Sequence, residues 1–522
     1  MVRLRPKPLN ILLVMFDQMS ALSLPVYGHP VVQAPHLTAL AEEAAVFERA
    51  YCNSPLCSPS RHSMLTGRMP SRIGAYDNAA ELASSIPTFV HLLRDAGYRT
   101  SLSGKMDFTG ADQLHGFEER LTTDLSPSDF AWTPNWEEPT RNFDWFHSLQ
   151  SVVEAGPSDR SLTMDYDEEA THQAERWLYA AAGASDHRPF LLTVSYMHPH
   201  DPYLGPRAFW DRYRDSEIDM PTVPPMPLDR RHPADQRLHA LYDRGQYVLS
   251  TAQVGAARRA YYAMIGHADE QLGRLRRALE IAGHDERTAI IVTADHGDML
   301  GERGLWYKMT FYERAVRVPL IMRIPGRTQP ARVARPVSLV DLFPTLLDLA
   351  GTQLSEGRLK LDGNSLVPAA VGPGKPAGAV YGEYMAEGTG EPMFMIRRGR
   401  WKYITCPGDP PRLYDLQSDP QELHNLSGKA AGAAIEPGLE REAGRRWDAA
   451  ALRRAIVESQ RSRRLVHAAL MRGRLHPWDY EPRRDAASEY FRNYGAADPE
   501  RPMRLPQAGP PPRPRQKKAR PR

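Results

Sequence analysis

Two strongly apolar segments of this chain each end in a pair of polar residues of the kinds that bind metal ions. The first segment ends in Asp17 and Gln18, and the second ends in Asp295 and His296. Two carboxylates, an amide oxygen and an imidazole are mostly hard ligands, which suit Ca²⁺ or Mg²⁺, while the nitrogen favours Mn²⁺ somewhat. The alternative is that each acid caps the helix that follows it.

The apolar segments themselves, 9–16 and 288–294, are continuous rather than alternating, which is typical of strands covered on both faces. In open α/β sheets, sites form where the strands reach their carboxyl ends. If the two strands lie side by side, Asp17 and Asp295 come together. The sequence then predicts one divalent cation at this edge of the sheet.

Cys57 opens the sequence Cys-Ser-Pro-Ser-Arg, which ends at Arg61, and Leu-Thr-Gly-Arg follows at 65–68. Alone, the first five residues also fit a cysteine in a Pro-containing loop. Both runs together resemble the sulfatase family of the alkaline phosphatase superfamily, in which this cysteine is oxidised to formylglycine after translation. The hydrated aldehyde has one hydroxyl that attacks sulfur and one that expels sulfate. The resemblance implies that Cys57 is the precursor of the nucleophile and a metal ligand, and that Arg61 orients it.

Three further segments resemble the family's sites for the sulfate and the leaving group. Lys105 ends the run 97–105 and is expected to bind a sulfate oxygen. His200 lies in His-Pro-His-Asp-Pro-Tyr and is expected to protonate the leaving oxygen, since histidine titrates near neutral pH. Lys308 matches the lysine that bridges the sulfate and the leaving group.

Asp107 departs from the family pattern, which usually has a histidine two residues after the lysine. A carboxylate beside a sulfate is repulsive unless it is protonated or paired, for instance with Lys105. A similar Lys-x-Asp-aromatic-Thr run resembles the glucuronate 2-sulfatase branch of the family. Asp107 therefore bears on which ester this chain accepts, as a candidate substrate-binding residue.

Longer shared runs resemble the branch of the family that hydrolyses choline O-sulfate. They comprise 76–81, 114–124 and 477–479. By this resemblance, the side chains expected around the choline are Trp132, His147 and Glu387. An aromatic face and a carboxylate suit a quaternary ammonium group, which cannot donate hydrogen bonds. The alternative for Trp132 is core packing.

The resemblance implies a formylglycine-dependent sulfuric ester hydrolase that converts choline O-sulfate to choline and sulfate with the help of one divalent cation. A sulfatase for a sugar or aryl sulfate, and a phosphonate or phosphodiester hydrolase with the same nucleophile, stay open as alternatives. So does a catalytically impaired binding protein, for which Asp107 is the motive. The expected partners are a small-molecule sulfate ester and, during maturation, the formylglycine-generating enzyme.

Composition argues against several other classes of protein. The chain has 522 residues with 66 basic and 63 acidic side chains, so its nearly balanced charge indicates neither a nucleic-acid nor a membrane partner. Its three cysteines suit a reducing compartment. The apolar run at 9–16 is too short for a membrane span and contains no cleavage site, so a buried strand is expected rather than a signal peptide. The sequence thus predicts a cytoplasmic protein.

The expected fold is α/β, with an alkaline-phosphatase-like large mixed sheet flanked by helices. A catalytic domain is predicted over 1–370, a smaller C-terminal α+β subdomain over 371–430, a helical segment over 431–495 and a disordered Pro/Arg-rich tail over 496–522. The Gly/Ala-rich residues 428–445 are expected to form a linker.

A helix is predicted from Ala449 to Met471, with one apolar face that charged residues interrupt, formed by Leu452, Ile456, Val466, Ala469 and Leu470. In the branch that this chain resembles, the equivalent tail packs on other subunits. The resemblance therefore implies an oligomerisation tail and a homodimer or homotetramer.

Overall fold

The core of the molecule is a large mixed β-sheet, and smaller sheets are built around it. The computed structural model describes residues 8–139, 146–243, 246–352, 359–372 and 378–483. Within them the strands are β1 (Asn10–Phe16), β2 (Ala45–Phe47), β3 (Ala50–Tyr51), β4 (Arg99–Gly104), β5 (Glu119–Arg120), β6 (Gly156–Ser158), β7 (Phe190–Tyr196), β8 (Leu204–Pro206), β9 (Thr288–Ala294), β10 (Arg317–Val318), β11 (Leu320–Arg323), β12 (Ala331–Val333), β13 (Val337–Ser338), β14 (Val380–Tyr384), β15 (Met393–Arg398), β16 (Trp401–Thr405) and β17 (Arg412–Asp415).

The large sheet has the strand order β12-β2-β11-β9-β1-β7-β4-β5. From β9 to β5 neighbouring strands are parallel, whereas β11 is antiparallel to both β9 and β2. β1, β7 and β9 are buried at every position, which explains the apolar runs that the sequence shows in β1 and β9. Phe16 pairs with Ala294 on one side and with Tyr196 on the other. The prediction that the strands before Asp17 and Asp295 lie side by side is therefore confirmed.

Helices pack against this sheet as the sequence predicted. They are α1 (Pro35–Ala41), α2 (Cys57–Thr66), α3 (Pro70–Ile73), α4 (Phe89–Asp95), α5 (Gln150–Val153), α6 (Leu162–Gly183), α7 (Arg207–Trp210), α8 (Pro233–Asp243), α9 (Thr251–Ile281), α10 (Glu313–Val316), α11 (Leu342–Leu349), α12 (Val367–Ala370), α13 (Glu436–Arg446) and α14 (Ala449–Leu470). The long helices α6 and α9 each begin after a serine, Ser161 or Ser250, whose hydroxyl accepts a backbone N–H. α6 packs on β4, β7 and α9, while α2, α4 and α11 form a second packed group.

A four-stranded antiparallel sheet, called the small sheet below, has the order β14-β15-β16-β17. Helix α13 packs on it. Leu439 and Ala443 of α13 share an apolar cluster with Phe394, which also stacks on Trp447 at 4.5 Å between ring centroids. The prediction of a linker over 428–445 is therefore wrong for its second half. Leu439 and Ala443 lie one helical turn apart, and this spacing gives an otherwise polar helix an apolar stripe.

A buried lysine joins the small sheet to the rest of the molecule. Lys402 Nζ lies 2.7 Å from Glu313 Oε1 and 2.8 Å from Glu422 Oε1, and it donates to the carbonyl of Phe311 at 2.7 Å. Together these three partners compensate the positive charge of Lys402, which would otherwise be costly to bury. The small sheet is thus held by polar contacts as well as by apolar packing.

The predicted helix near the C-terminus is confirmed as α14, but its buried face differs from the predicted one. Ile456 is buried as predicted, together with Val457, whereas the predicted Val466 and Leu470 are 43% and 39% exposed. The tail predicted over 496–522 lies outside the described residues, and the boundaries at 370, 430 and 495 stay predictions. Among the described residues, none of the helices has both the length and the apolar character that a membrane span requires.

The end of β4 gives a first testable prediction. Gly104 has φ +101°, and a Cβ built on it would lie 1.9 Å from the backbone oxygen of Ser195 in the neighbouring strand. Gly104→Ala should therefore lower the stability by at least about 2 kcal/mol, because the strained backbone and the steric overlap add. Differential scanning fluorimetry would measure the fall in Tm.

Gly97 provides a matched control for this substitution. It also has a positive φ, +87°, but a Cβ there would meet nothing within 4 Å. Gly97→Ala should cost only the backbone strain, about 1 kcal/mol. Equal falls in Tm for the two variants would contradict the close approach of β4 and β7.

Candidate active site

Cys57 is the first residue of α2 and lies at the carboxyl edge of the large sheet. Ser60 Oγ donates to the backbone carbonyl of Asp295 at 2.6 Å, which ties the first turn of α2 to the end of β9. Cys57 Sγ lies 3.2 Å from His296 Nε2 and 3.8 Å from Asp17 Oδ1. Burial, and next the charge of Asp17, raise the pKa of the Cys57 thiol. An unmodified thiol here stays protonated and is a weak nucleophile.

Asp17, Cys57, Asp295 and His296 form a buried cluster whose ligand atoms all lie within 4.8 Å of one another. His296 Nδ1 is 3.1 Å from the carbonyl of Gly297, which can only accept, so Nδ1 carries the hydrogen and Nε2 turns its lone pair to the cluster. Burial lowers the pKa of His296 to about 4, so the ring is neutral. Two carboxylates and this lone pair are a donor set that fits a small divalent cation.

Arg61 stands behind the carboxylates and is completely buried. Its Nε donates to Asp295 Oδ2 at 2.9 Å and its Nη2 to Asp17 Oδ2 at 3.3 Å. Its Nη1 donates at 2.8 Å to both the Ser195 hydroxyl and the Lys105 carbonyl. Arg61 thus binds the Oδ2 atoms and leaves the Oδ1 atoms to face the cluster. Its predicted role in orienting a formylglycine stays a prediction.

Gln18 follows Asp17 with a φ of 65°, and its side-chain amide is hydrogen-bonded to residues outside the buried cluster. Its Oε1 accepts from Lys308 at 2.7 Å, and its Nε2 donates to Asp298 at 2.7 Å and to Asp201 at 3.2 Å. The backbone N–H of Gln18 donates to Asp295 Oδ1 at 3.0 Å. The side chain therefore links the cluster to Lys308, and its role as a metal ligand stays a prediction.

Lys105 and Asp107 lie together beside the cluster. Lys105 Nζ is 2.5 Å from Asp17 Oδ2 and 3.4 Å from Asp107 Oδ2, which is also 3.6 Å from Arg61 Nε. Burial would lower the pKa of Lys105, but Asp107 and Asp17 outweigh it and hold that pKa well above its usual range. Burial raises the pKa of Asp107 to about 6, even though Lys105 and Arg61 oppose this. Asp107 therefore forms ion pairs with Lys105 and Arg61, although its Oδ2 accepts no hydrogen bond among the described residues.

Lys308 and His200 form the opposite wall of the site. Lys308 Nζ lies 2.7 Å from His200 Nε2, and His200 Nδ1 lies 2.6 Å from the carbonyl of Asp201. Since that carbonyl only accepts, Nδ1 carries the hydrogen and Nε2 accepts from Lys308. Burial and then Lys308 lower the pKa of His200 to about 3. The proton shared by this pair therefore resides on Lys308, and the predicted role of His200 as proton donor to the leaving oxygen stays a prediction.

An open pocket of about 710 Å³ leads to Cys57, and the predicted substrate residues share it. Its walls include Lys105, Asp107, Trp132, His147, His200, Lys308 and Glu387. His147 stacks on Tyr307 at 4.5 Å between ring centroids, and its Nδ1 lies 3.2 Å from Asp201 Oδ2. Glu387 is buried, which raises its pKa to about 7. The structure thus brings together all the side chains proposed for sulfate and choline.

A second buried cluster, formed by Asp167, His198 and His267, is satisfied by its own hydrogen bonds. The two Nδ1 atoms of the histidines lie 2.9 Å apart, and His198 Nε2 lies 3.2 Å from the hydroxyl of Thr163. Asp167 accepts the backbone N–H groups of Met197 and His198 at 2.7 and 3.0 Å. These bonds fix the loop that carries His200 and support a structural role for His198.

Three residues of the site received no role from the sequence. Asp201 contacts His147 and Gln18. Asp298 accepts hydrogen bonds from Gln18 and, at 2.8 Å, from Tyr203. Asn78 Oδ1 accepts a hydrogen bond of 3.0 Å from the backbone N–H of the residue after Cys57. Asp201 and Asp298 stand inside the runs His-Pro-His-Asp and Asp-His-Gly-Asp, so their proximity to assigned residues was a usable signal.

Comparisons with protein families match almost the whole described chain. The family described as Sulfatase matches residues 9–352. A second, described as N-sulphoglucosamine sulphohydrolase, C-terminal, matches residues 301–446, and a third, described as choline sulfatase enzyme C terminal, matches residues 454–500.

Individual proteins extend this likeness along the chain. A choline-sulfatase of Rhizobium meliloti is 45% identical over 492 residues, covering 93% of this chain and 96% of that protein. Arylsulfatase K of Danio rerio is 30% identical over 438 residues, covering 80% of each. Among solved structures, the phosphonate monoester hydrolase of Agrobacterium radiobacter is 26% identical with a TM-score of 0.68, covering 86% of this chain and 96% of its own.

The buried cluster gives a prediction about metal binding. Asp295→Asn should weaken the binding of Ca²⁺ or Mn²⁺ more than about tenfold, since even the loss of a ligand's hydrogen-bond partner costs about 10–100-fold. Isothermal titration and metal analysis after dialysis would measure the affinity and the amount bound. Asp167→Asn, in the second cluster, is the control and should keep the wild-type affinity. A loss in Asp167→Asn alone would assign the cation to the second cluster.

Proposed function

This chain belongs to the sulfatase family and is a sulfuric ester hydrolase, and we propose that its substrate is choline O-sulfate. The observation that carries this proposal is the pocket that leads to Cys57. Trp132 and the buried Glu387 line this pocket together with Lys105 and Lys308. Lys105 and Lys308 suit the sulfate end of an ester, and Trp132 and Glu387 suit a cation at the other end.

A quaternary ammonium group needs surroundings of this kind. It carries a fixed positive charge but has no N–H to donate, so it is bound by aromatic faces and by charge rather than by hydrogen bonds. Glu387, with a pKa raised to about 7, is only partly ionised by itself, and a cation beside it would favour the carboxylate. The likeness to the choline-sulfatase of Rhizobium meliloti supports the same substrate.

For the chemical step, we infer that Cys57 is converted to formylglycine, whose hydrate supplies one hydroxyl to attack sulfur and another to expel sulfate. A divalent cation held by Asp17, Asp295 and His296, with Ca²⁺ preferred and Mg²⁺ or Mn²⁺ as alternatives, would stabilise charge on the sulfate oxygens. Arg61 keeps the Oδ1 atoms of both carboxylates facing the site. The remaining residues bind the ester and move a proton.

Lys308 and His200 are proposed to handle the leaving oxygen together. An alkyl sulfate releases a strongly basic alkoxide, so a proton must reach that oxygen as the bond breaks. Lys308 carries the proton and lies 2.7 Å from His200 Nε2. The pair can therefore donate this proton to the leaving oxygen, and Lys308 can then be reprotonated through the imidazole of His200. Lys105, on the opposite wall, is left to bind a sulfate oxygen.

Two alternative functions follow from the pocket's size and from Asp107. A pocket of about 710 Å³ also admits a sugar or aryl sulfate, and the phosphonate monoester hydrolase shares the fold. A binding protein without turnover is less favoured, because Asp107 is paired with Lys105 and Arg61 rather than left as an uncompensated charge. A panel of choline, aryl and sugar sulfates with a phosphonate ester distinguishes these cases.

The proposal extends to maturation and to the cell. Conversion of Cys57 would require a formylglycine-generating enzyme as a transient partner. The three cysteines are free and buried, which fits a reducing cytoplasm. The match of residues 454–500 to the choline sulfatase C terminal supports a homodimer or homotetramer.

Peptide mass spectrometry tests the nucleophile. The peptide that contains Cys57 should weigh about 18 Da less than its sequence mass when the protein is made together with a formylglycine-generating enzyme. Cys57→Ala should abolish turnover, because the variant has neither a thiol nor an aldehyde. Cys52→Ala is the control, since Cys52 is a second buried cysteine and should keep both the mass change at Cys57 and the activity. Full activity in Cys57→Ala would refute the assignment.

Trp132→Ala tests the choline pocket. Loss of a desolvated cation–π contact costs on the order of 2 kcal/mol, so kcat/KM for choline O-sulfate should fall roughly thirtyfold. Activity on 4-nitrophenyl sulfate, which has no cation, should change much less. The control is Trp210→Ala, which removes a partly buried tryptophan outside this pocket. It should change kcat/KM for neither ester. Equal losses on both esters in Trp132→Ala would make Trp132 a packing residue.

A further inference from the structure

One face of α14 buries polar as well as apolar side chains. The buried residues of this helix are Ile456, Val457, Gln460 and Arg463, whose spacing places them on one side. Ile456 and Val457 pack with Trp136 and Met385 in a small apolar cluster. This face therefore contacts two chain segments that lead directly into the substrate pocket.

Gln460 holds the first of these segments. Its Oε1 accepts the backbone N–H of Trp136 at 2.9 Å, and Trp136 Nε1 in turn donates to the carbonyl of Ala386 at 2.8 Å. Ala386 is the residue before Glu387, which lines the pocket. Two hydrogen bonds thus link the helix to the backbone of Ala386, and the next residue, Glu387, has the carboxylate proposed to contact the ammonium group.

Arg463 holds another segment, through Asp77, and also contacts the segment of Trp136 at Thr133. Its Nη1 and Nη2 donate to the two carboxylate oxygens of Asp77 at 2.6 and 2.7 Å, and Nη1 also lies 3.4 Å from the hydroxyl of Thr133. Asp77 is completely buried and Arg463 is 7% exposed. Asp77 precedes Asn78, and Thr133 follows Trp132, and both of these neighbours line the pocket.

We propose that Arg463 is a positioning residue for substrate selection: α14 sets the shape of the pocket from behind by holding the neighbours of three of its lining residues. Those lining residues are Asn78, Trp132 and Glu387. They come from distant parts of the chain: their neighbours Asp77 and Thr133 bond to Arg463 directly, and Ala386 is linked to Gln460 through Trp136. This inference rests on the proposed function, because Trp132 and Glu387 belong to the part of the pocket assigned to the ammonium group.

The ion pair between Arg463 and Asp77 explains how a residue outside the pocket can affect the shape of the pocket. Removing it would leave the Asp77 carboxylate buried without its cation, and the loop would rearrange to hydrate it. Asn78 and Trp132 would move with that loop. A shift of about 1 Å in a positioning element can cost about 100-fold in rate. The cluster of Asp17, Arg61 and Asp295 makes no hydrogen bond to α14 among the described residues.

The test compares Arg463→Met with Arg461→Met in the full-length protein, using choline O-sulfate and 4-nitrophenyl sulfate. Arg461 lies on the same helix and pairs with Glu137, but its side chain is 64% exposed, so this pair contributes little. Arg463→Met should lower kcat/KM for choline O-sulfate about tenfold or more, chiefly through KM, and change that for 4-nitrophenyl sulfate less than about threefold. Arg461→Met should leave the ratio unchanged.

Two further variants keep the test decisive if Arg463→Met does not fold. Arg463→Lys retains the charge but loses the bidentate geometry, and Gln460→Ala removes the acceptor for Trp136; each should shift the same ratio in the same direction. Equal losses on both esters, or an unchanged ratio in all these variants, would overturn the proposal. If the wild-type protein does not hydrolyse choline O-sulfate, the proposed function fails separately. The ratio is then measured between the best ester of the panel and 4-nitrophenyl sulfate.

Discussion

The site depends on one buried guanidinium. Two carboxylates end adjacent parallel strands, so Asp17 and Asp295 would repel each other in a region closed to water. Arg61 lies against both and also bonds to Ser195 and to the carbonyl of Lys105. It therefore joins the ends of β9, β1, β7 and β4 through a single side chain. Replacement of a buried ion pair by apolar groups is often neutral for stability, so the value of Arg61 lies in the geometry that it imposes.

Around this guanidinium, carboxyl groups outnumber cationic groups among the described residues near Cys57. The carboxyls are Asp17, Asp107, Asp201, Asp295 and Asp298, and the cations are Arg61, Lys105 and Lys308. The pKa values of Asp107 and Asp298 are raised to about 6, chiefly by burial. Incomplete compensation of buried negative charge produces such shifts. A divalent cation adds positive charge, and choline O-sulfate adds no net charge because its ammonium group balances its sulfate, so together they bring the site closer to balance.

The sequence predicted that Asp17 and Asp295 lie together, because the determinants of this pairing are local. Continuous apolar runs identified β1 and β9, and parallel pairing then places their terminal acids together whatever the rest of the chain does. The direction of Gln18 was not predictable, since it depends on Lys308 and Asp298, about 280–290 positions away. Nor was the buried face of α14, where Gln460 and Arg463 are buried only because distant loops supply their partners. Polar positions of this kind resemble a solvated helix face until the fold is known.

The burial of Cys57 also sets an order of events during synthesis of the protein. Its side chain is 3% exposed and lies beneath the ends of β1 and β9, which are separated by about 270 residues of chain. A modifying enzyme must surround its target residue with its own active site, and the walls of the pocket that leads to Cys57 leave no room for that. Any enzyme that oxidises Cys57 therefore has to act before β9 pairs with β1, while residues 57–61 are still an extended peptide. The time available for the modification is then set by how fast the chain folds, and a chain that folds early becomes inert.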